Sequence, residues 1–161
     1  MSTVARVLTD EMIEAIKAYI PRYPSKQAVT LPALHIVNDR LRYVPLQAVV
    51  EIAEILGLAP AQVQDTLSFY GYFKQDKPHG EVRAWVCRSV SCALRGADEL
   101  LEHMCHKAGL KPGETSANGK LTIEFGECLG ACEMAPCILE GEELVADVTH
   151  EKADTLLEKY K

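Results

Sequence analysis

Two pairs of cysteines constrain this chain more than any other feature. Cys87 and Cys92 form C-x4-C, and Cys128 and Cys132 form C-x3-C. A run of alternating apolar residues precedes each pair: Val82, Ala84 and Val86 before the first, Leu121, Ile123 and Phe125 before the second. Alternation of period two predicts a strand. Adjacent strand ends in one sheet bring both pairs to a single edge, so four thiolates converge without distorting either pair. That arrangement is a metal site. An iron-sulfur cluster with all-cysteine ligation needs such a set, although this spacing differs from the plant-type and bacterial ferredoxin runs. Tetrahedral structural zinc is also held by cysteine pairs two to four residues apart, and it fits the spacing too. A catalytic redox disulfide would prefer C-x2-C after the first strand, which is absent. The second loop, Gly126-Glu127-Cys128-Leu129-Gly130-Ala131-Cys132, has small residues where backbone N–H groups must approach sulfur closely.

The rest of the composition narrows the setting. The 161 residues carry a net charge of -6 with no Lys/Arg run, which argues against a nucleic-acid partner. No apolar run approaches the roughly 20 residues that cross a bilayer, so no direct membrane insertion is expected. The start, Met1-Ser2-Thr3-Val4-Ala5-Arg6, has no h-region and no transit-peptide character. A reducing, cytoplasmic setting follows, peripheral to a membrane at most. There the six cysteines read as metal ligands or buried thiols rather than three disulfides.

Periodicity divides the chain in two. Residues 1–74 read as a helical domain. Thr9 caps a first helix with Met12, Ile13, Ile16, Tyr19 and Ile20 on one stripe, ended by Pro21 and Pro24. Ser25 opens a second segment carrying Leu31, Leu34, Val37, Asn38 and Leu41, where Pro32 marks a start or a kink. Pro45 suits the first turn of a third helix that Gly57 ends, and Pro60 starts a fourth with Val63, Leu67 and Tyr70 on one face. Short connections favour antiparallel neighbours in a small bundle. The polar, turn-rich stretch Lys74–Gly80 is the linker.

Residues 81–161 read β-α-β-β-α. Val82, Ala84 and Val86 face one side of the first strand; Arg83, Trp85 and Cys87 face the other. A helix follows through Leu94, Ala97, Leu100, Leu101, Met104 and Ala108, closed by Gly109. Ile138 to Glu140 and Leu144 to Val148 flank Gly141-Glu142-Glu143 as a hairpin, and Thr149 caps a last helix bearing Ala153, Leu156, Leu157 and Tyr160.

The two cysteine loops then carry a resemblance. Val86-Cys87-Arg88-Ser89-Val90-Ser91-Cys92-Ala93-Leu94-Arg95-Gly96-Ala97 resembles the first cluster loop of the small [2Fe-2S] subunit of NADH dehydrogenase. Glu127-Cys128-Leu129-Gly130-Ala131-Cys132-Glu133-Met134-Ala135-Pro136 resembles its second. That is a peripheral-arm subunit of NADH-quinone oxidoreductase (respiratory complex I), with relatives in soluble hydrogenases and NAD-dependent formate dehydrogenases. Tyr23-Pro24, Leu31-Pro32-Ala33-Leu34-His35, Phe69-Tyr70 and Phe73 extend the likeness into the N-terminal half. The resemblance implies an α+β chain: an N-terminal helical bundle followed by a thioredoxin-like α/β domain with one [2Fe-2S] cluster on Cys87, Cys92, Cys128 and Cys132. It also implies a partner flavoprotein subunit that binds FMN and NADH, alongside other peripheral-arm subunits.

The remaining polar candidates have plainer readings. Cys137 departs from the family pattern, which has an apolar residue after Ala-Pro, and reads as a small buried hydrophobe. Cys105, between His103 and His106 along the helix, belongs to a partly exposed helix face rather than an extra metal site. Pro136 sits where thioredoxin-like folds often carry a cis-proline. Phe69, Tyr70, Tyr72 and Phe73 read as packing at the end of the bundle. Arg88 and Glu127 flank the ligands, either as charges acting on the cluster or as solvated surface. No G-x-G-x-x-G loop, nucleophile triad or acid–base pair occurs, so nicotinamide and flavin belong on another chain and this one is a non-catalytic redox subunit. Two alternatives stay beside the complex I assignment: the equivalent diaphorase subunit of a hydrogenase or formate dehydrogenase, and a zinc-stabilised interaction domain.

Overall fold

The computed structural model describes residues 5–161 and divides the chain into two compact units, Met1–Pro78 and His79–Lys161. Met1 to Val4, the start of the stretch read for a signal sequence, lie outside the described residues. Among the described residues no helix is long and apolar enough to cross a membrane.

The first unit is helical. Helix α1 (Asp10–Tyr19) is capped by Thr9, whose side chain accepts the N–H of Met12, and it buries Met12 and Ile16. A short 3-10 turn containing Pro21 follows. Helix α2 (Thr30–Leu41) takes Pro32 in its first turn, where the missing N–H costs no helical bond. Helix α3 (Leu46–Leu56) starts one residue after Pro45, which caps it rather than entering its first turn. It stops at Gly57, whose φ of 66° is left-handed. Helix α4 (Pro60–Phe69) buries Val63 and Leu67 but ends before Tyr70. Of the four aromatic residues at that end, only Phe73 is buried; Phe69 is 79% exposed, and Tyr70 and Tyr72 are 40% and 36% exposed. The expected packing cluster is therefore one core ring with an aromatic fringe. The rings meet edge to face, Tyr72 against Phe73 at 5.3 Å.

One carboxylate ties the entry segment to this unit. Glu51 on α3 accepts the backbone N–H groups of Val7 and Leu8 at 2.9 and 2.8 Å and the Gln47 amide at 3.0 Å. Burial pushes the Glu51 carboxyl up, but these donors together outweigh it and hold the group below the usual carboxylate range.

The second unit is a mixed four-stranded sheet in the order β2-β1-β3-β4. Strands β1 (Val82–Cys87) and β2 (Leu121–Gly126) are parallel, in a register that sets Cys87 opposite Gly126. Strand β3 (Ile138–Glu140) runs antiparallel to β1 and to β4 (Glu143–Val145), so the hairpin supplies two strands. The turn is tighter than expected, and β4 ends at Val145. Between β1 and β2 the single expected helix is two: α5 (Val90–Leu94) and α6 (Ala97–Ala108), parted at Gly96 with a φ of 86°. The break turns Leu94 out of the core, to 83% exposure. Helix α7 (His150–Glu158) is capped by Thr149 and buries Ala153, Leu156 and Leu157. The Ala135–Pro136 peptide preceding β3 is cis.

Simple in-and-out alternation fails on β1 and β2. Arg83 is buried with Glu124 of β2, the guanidinium 2.5 Å from the carboxylate and 4.5 Å from the Trp85 ring. Thr122 is buried as well, whereas Phe125 is partly exposed. Both faces of the β1–β2 pair are thus covered, one of them by a paired charge that the apolar pattern does not reveal.

Two outcomes follow. Arg83→Ala strands a buried carboxylate and should cost about 3–5 kcal/mol in urea unfolding, while an Arg83→Met, Glu124→Leu double variant should fall far below that cost. For Glu51, a depressed folded pKa adds stability that is present above the unfolded value of about 4.3 and lost as pH falls through the folded one. Glu51→Gln should therefore lower stability at neutral pH by about 1–3 kcal/mol, and the deficit should shrink in acid when unfolding is followed by circular dichroism.

Candidate metal centre

The parallel register makes the site. Because Cys87 ends β1 opposite Gly126 at the end of β2, both cysteine loops leave the same edge of the sheet. The first loop turns at once: Ser89 caps α5, and this single turn of helix carries Cys92 back toward Cys87. The second passes through Cys128, Leu129 and Gly130, then enters a 3-10 turn at Cys132–Met134. Gly130 has a φ of 80° with open space around its α-carbon, so conformation and not crowding requires glycine there. Close approach is needed at Gly126 instead, where an added Cβ would lie 3.0 Å from the Cβ of Trp85. The small residues thus shape the loop and seat it on β1, a different reason from the one expected.

Cys87 and Cys92 are buried, and with Cys137 they bring three sulfurs within 4.8 Å of one another. Cys92 Sγ and Cys137 Sγ are 3.7 Å apart. Cys128 and Cys132 are exposed and lie outside this trio, in the second loop at the same edge. The loops nonetheless meet at one sulfur: the backbone amides of Ser89 and Leu129, one from each loop, both act to lower the Cys87 thiol. The Cys137 backbone amide acts on Cys92 in the same sense.

Electrostatics follow from these donors. Burial pushes the Cys87 thiol up, but the Ser89 and Leu129 N–H groups, Cys92 and the Ser89 side chain bring it below the ordinary thiol value. Cys92 lies above it, mainly through burial and then through Cys87. Burial, with Cys92 and Cys87 alongside, pushes Cys137 up to about 12. Of the three thiols, Cys87 is the one prepared to carry negative charge. Soft thiolates with amide donors aimed at sulfur suit iron-sulfur or zinc ligation.

Arg88 and Glu127 form an ion pair across the two loops, both largely exposed, and the Arg88 N–H donates to the Gly126 carbonyl at 3.1 Å. The ion pair is solvated surface of small energetic weight. Cys105 departs from expectation: it is 4% exposed, inside the core, and it belongs to no metal-ligating group among the described residues. His103 turns away from it, bonding Asp154 at 2.7 Å and stacking on His150. Sequence reasoning treats Cys137 as inert filling; its contact with Cys92 depends on β3 lying beside β1, with the Cys87 N–H donating to the Cys137 carbonyl at 3.1 Å.

Comparison with known proteins agrees with this chemistry. The family model for thioredoxin-like [2Fe-2S] ferredoxins matches residues 16–161. An NADH-quinone oxidoreductase subunit of Rhizobium meliloti (strain 1021) is 35% identical over 150 residues, covering 93% of this chain and 89% of that protein. NADH-quinone oxidoreductase subunit 2 of Thermus thermophilus is 32% identical over 151 residues, covering 92% of this chain and 83% of the relative. Among solved structures, an NAD+-reducing [NiFe]-hydrogenase in its H2-reduced state superposes with a TM-score of 0.68 at 26% identity, over 81% of this chain and 22% of that longer chain.

In protein prepared without iron, a thiol reagent should modify Cys128 and Cys132 rapidly and the four buried cysteines only on unfolding. Mass spectrometry of the early adduct checks this, and early modification of Cys92 or Cys137 would refute the buried pocket.

Proposed function

We propose a function from one premise: the chain belongs to the thioredoxin-like [2Fe-2S] ferredoxin family, whose model spans residues 16–161. On that premise it is the electron-transfer subunit of the NADH-oxidising module of an NADH-quinone oxidoreductase. Cys87, Cys92, Cys128 and Cys132 hold one [2Fe-2S] cluster. The observation that carries the reading is the parallel register that sets Cys87 opposite Gly126, because it starts the C-x4-C and C-x3-C loops side by side, with the Leu129 amide of the second acting on the Cys87 sulfur of the first.

The cluster, when bound, supplies a one-electron carrier. The chain's own residues do the rest. The Ser89 and Leu129 amides stabilise negative charge on the Cys87 sulfur, and the Cys137 amide does so on Cys92. Burial of Cys87 and Cys92 keeps water from that side, while exposed Cys128 and Cys132 leave the other side open to a partner. Val90 and Leu94, 76% and 83% exposed on either side of Cys92, give that rim an apolar surface. The partner is a flavoprotein subunit, whose FMN would supply the conversion of a hydride from NADH into single electrons for this chain. Residues 81–161 serve as the cluster domain and residues 1–74 as a helical domain for assembly with other peripheral-arm subunits, in the cytoplasm at the membrane face. The superposition on the NAD+-reducing hydrogenase supports a second reading, the same role in a hydrogenase diaphorase module.

The test is metal and sulfide content of anaerobically purified protein, with EPR after dithionite reduction. About two irons and two acid-labile sulfides per chain, with the signal of a reduced [2Fe-2S] centre, are expected. Alanine at any of the four ligands should abolish that signal. One zinc and no sulfide after anaerobic reconstitution would overturn the reading, as would NADH oxidation by the chain without a flavoprotein.

A further inference from the structure

We propose that Cys137 is a positioning residue for the cluster: its thiol donates an S–H···S hydrogen bond to the Cys92 sulfur and raises the reduction potential of the centre. The inference rests on the reading above, in which Cys92 is a ligand.

The geometry supports the donor role from two directions. Cys137 Sγ lies 3.7 Å from Cys92 Sγ, within the range of a sulfur hydrogen bond, and both residues are buried, so no water competes for the contact. In the free thiols either sulfur can donate. Once Cys92 is a metal-bound thiolate it has no proton, and only Cys137 can. The backbone fixes the same direction. The Cys137 carbonyl accepts the Cys87 N–H at 3.1 Å, and its own amide acts on the Cys92 sulfur. Cys137 is thus held between the two buried ligands by its main chain, with little freedom to turn away.

An ordinary apolar residue would fill this place as well, which is the role the sequence pattern alone suggests. Filling does not explain the pairing of sulfurs. A donor to a ligand sulfur draws electron density off the centre and favours the reduced form, which carries one more negative charge. A low local dielectric strengthens that effect. No bond is made or broken and no proton is transferred; the thiol keeps its hydrogen in both redox states.

The experiment is an EPR-monitored potentiometric titration of the full chain, with iron and sulfide measured for each variant. Cys137→Val fills the volume without a donor. It should keep the cluster but weaken reduction severalfold, up to about tenfold, where tenfold is ~59 mV for one electron. Cys137→Ser retains a donor and should restore the wild-type midpoint or exceed it. An unchanged midpoint in Cys137→Val overturns the proposal. So does a fall of equal size in Cys137→Ser, which would make the effect one of packing, and so does loss of the cluster from a folded Cys137→Val, which would make Cys137 a ligand. A wild type without any cluster overturns the parent reading instead.

Discussion

The parallel pairing of β1 with β2 is the constraint on which the second unit depends. Parallel strands cannot be joined by a tight turn, so the chain between them must cross over, and here it does so through α5 and α6. In return, both strands end at the same edge. The register that sets Cys87 opposite Gly126 starts two loops side by side, each with two thiols. A slip of one residue would reverse every side chain of one strand and separate the loops. The buried Arg83–Glu124 pair links the same two strands, so a misregistered sheet would leave a charge unpaired inside the protein.

Function grows out of that edge with little further machinery. The strand ends bring three buried sulfurs together, and three backbone amides, from Ser89, Leu129 and Cys137, favour charge on two of them. These donors belong to rigid or short segments and need no rearrangement to meet charge on sulfur. The exposed pair, Cys128 and Cys132, faces the solvent side. A one-electron carrier needs that asymmetry: a protected interior that sets the potential and an open rim through which a partner comes close. The helical unit stands apart in its chemistry. It has no metal-ligating group among the described residues, and its strongest polar feature, Glu51 on the Val7 and Leu8 amides, organises its own entry segment.

Much of this was legible in sequence because it is local. Thr9 and Thr149 as caps, Gly57 and Gly109 as stops, Pro60 at a helix start and the span Val82–Cys87 as a strand each depend on neighbours within a turn or two. The same holds for the cysteine spacings, which made a metal site the first expectation. Features that failed were decided by a tight local turn or by distant partners. Leu94 looked like core because its spacing to Leu101 is helical, yet the turn at Gly96 swings it outward. Cys105 looked like a partly exposed position, yet it packs into the core of the second unit. Arg83 had a place on one face of its strand but no partner in the pattern, and only the next strand supplies Glu124.

The sequence by itself determined which residue types bear the chemistry and where the chain bends, because propensity, capping and cysteine spacing act over a few residues. It also carried the family membership, written in the two loops. Only the tertiary structure decided that Cys137 meets Cys92, that an amide from the second loop reaches the Cys87 sulfur, and that two of the four predicted ligands are buried while two are open. Those facts depend on strand order and register between segments some forty residues apart along the chain, such as Cys92 and Cys137 with their separation of 45. Local patterns carry no record of such contacts, because they exist only after the sheet has closed.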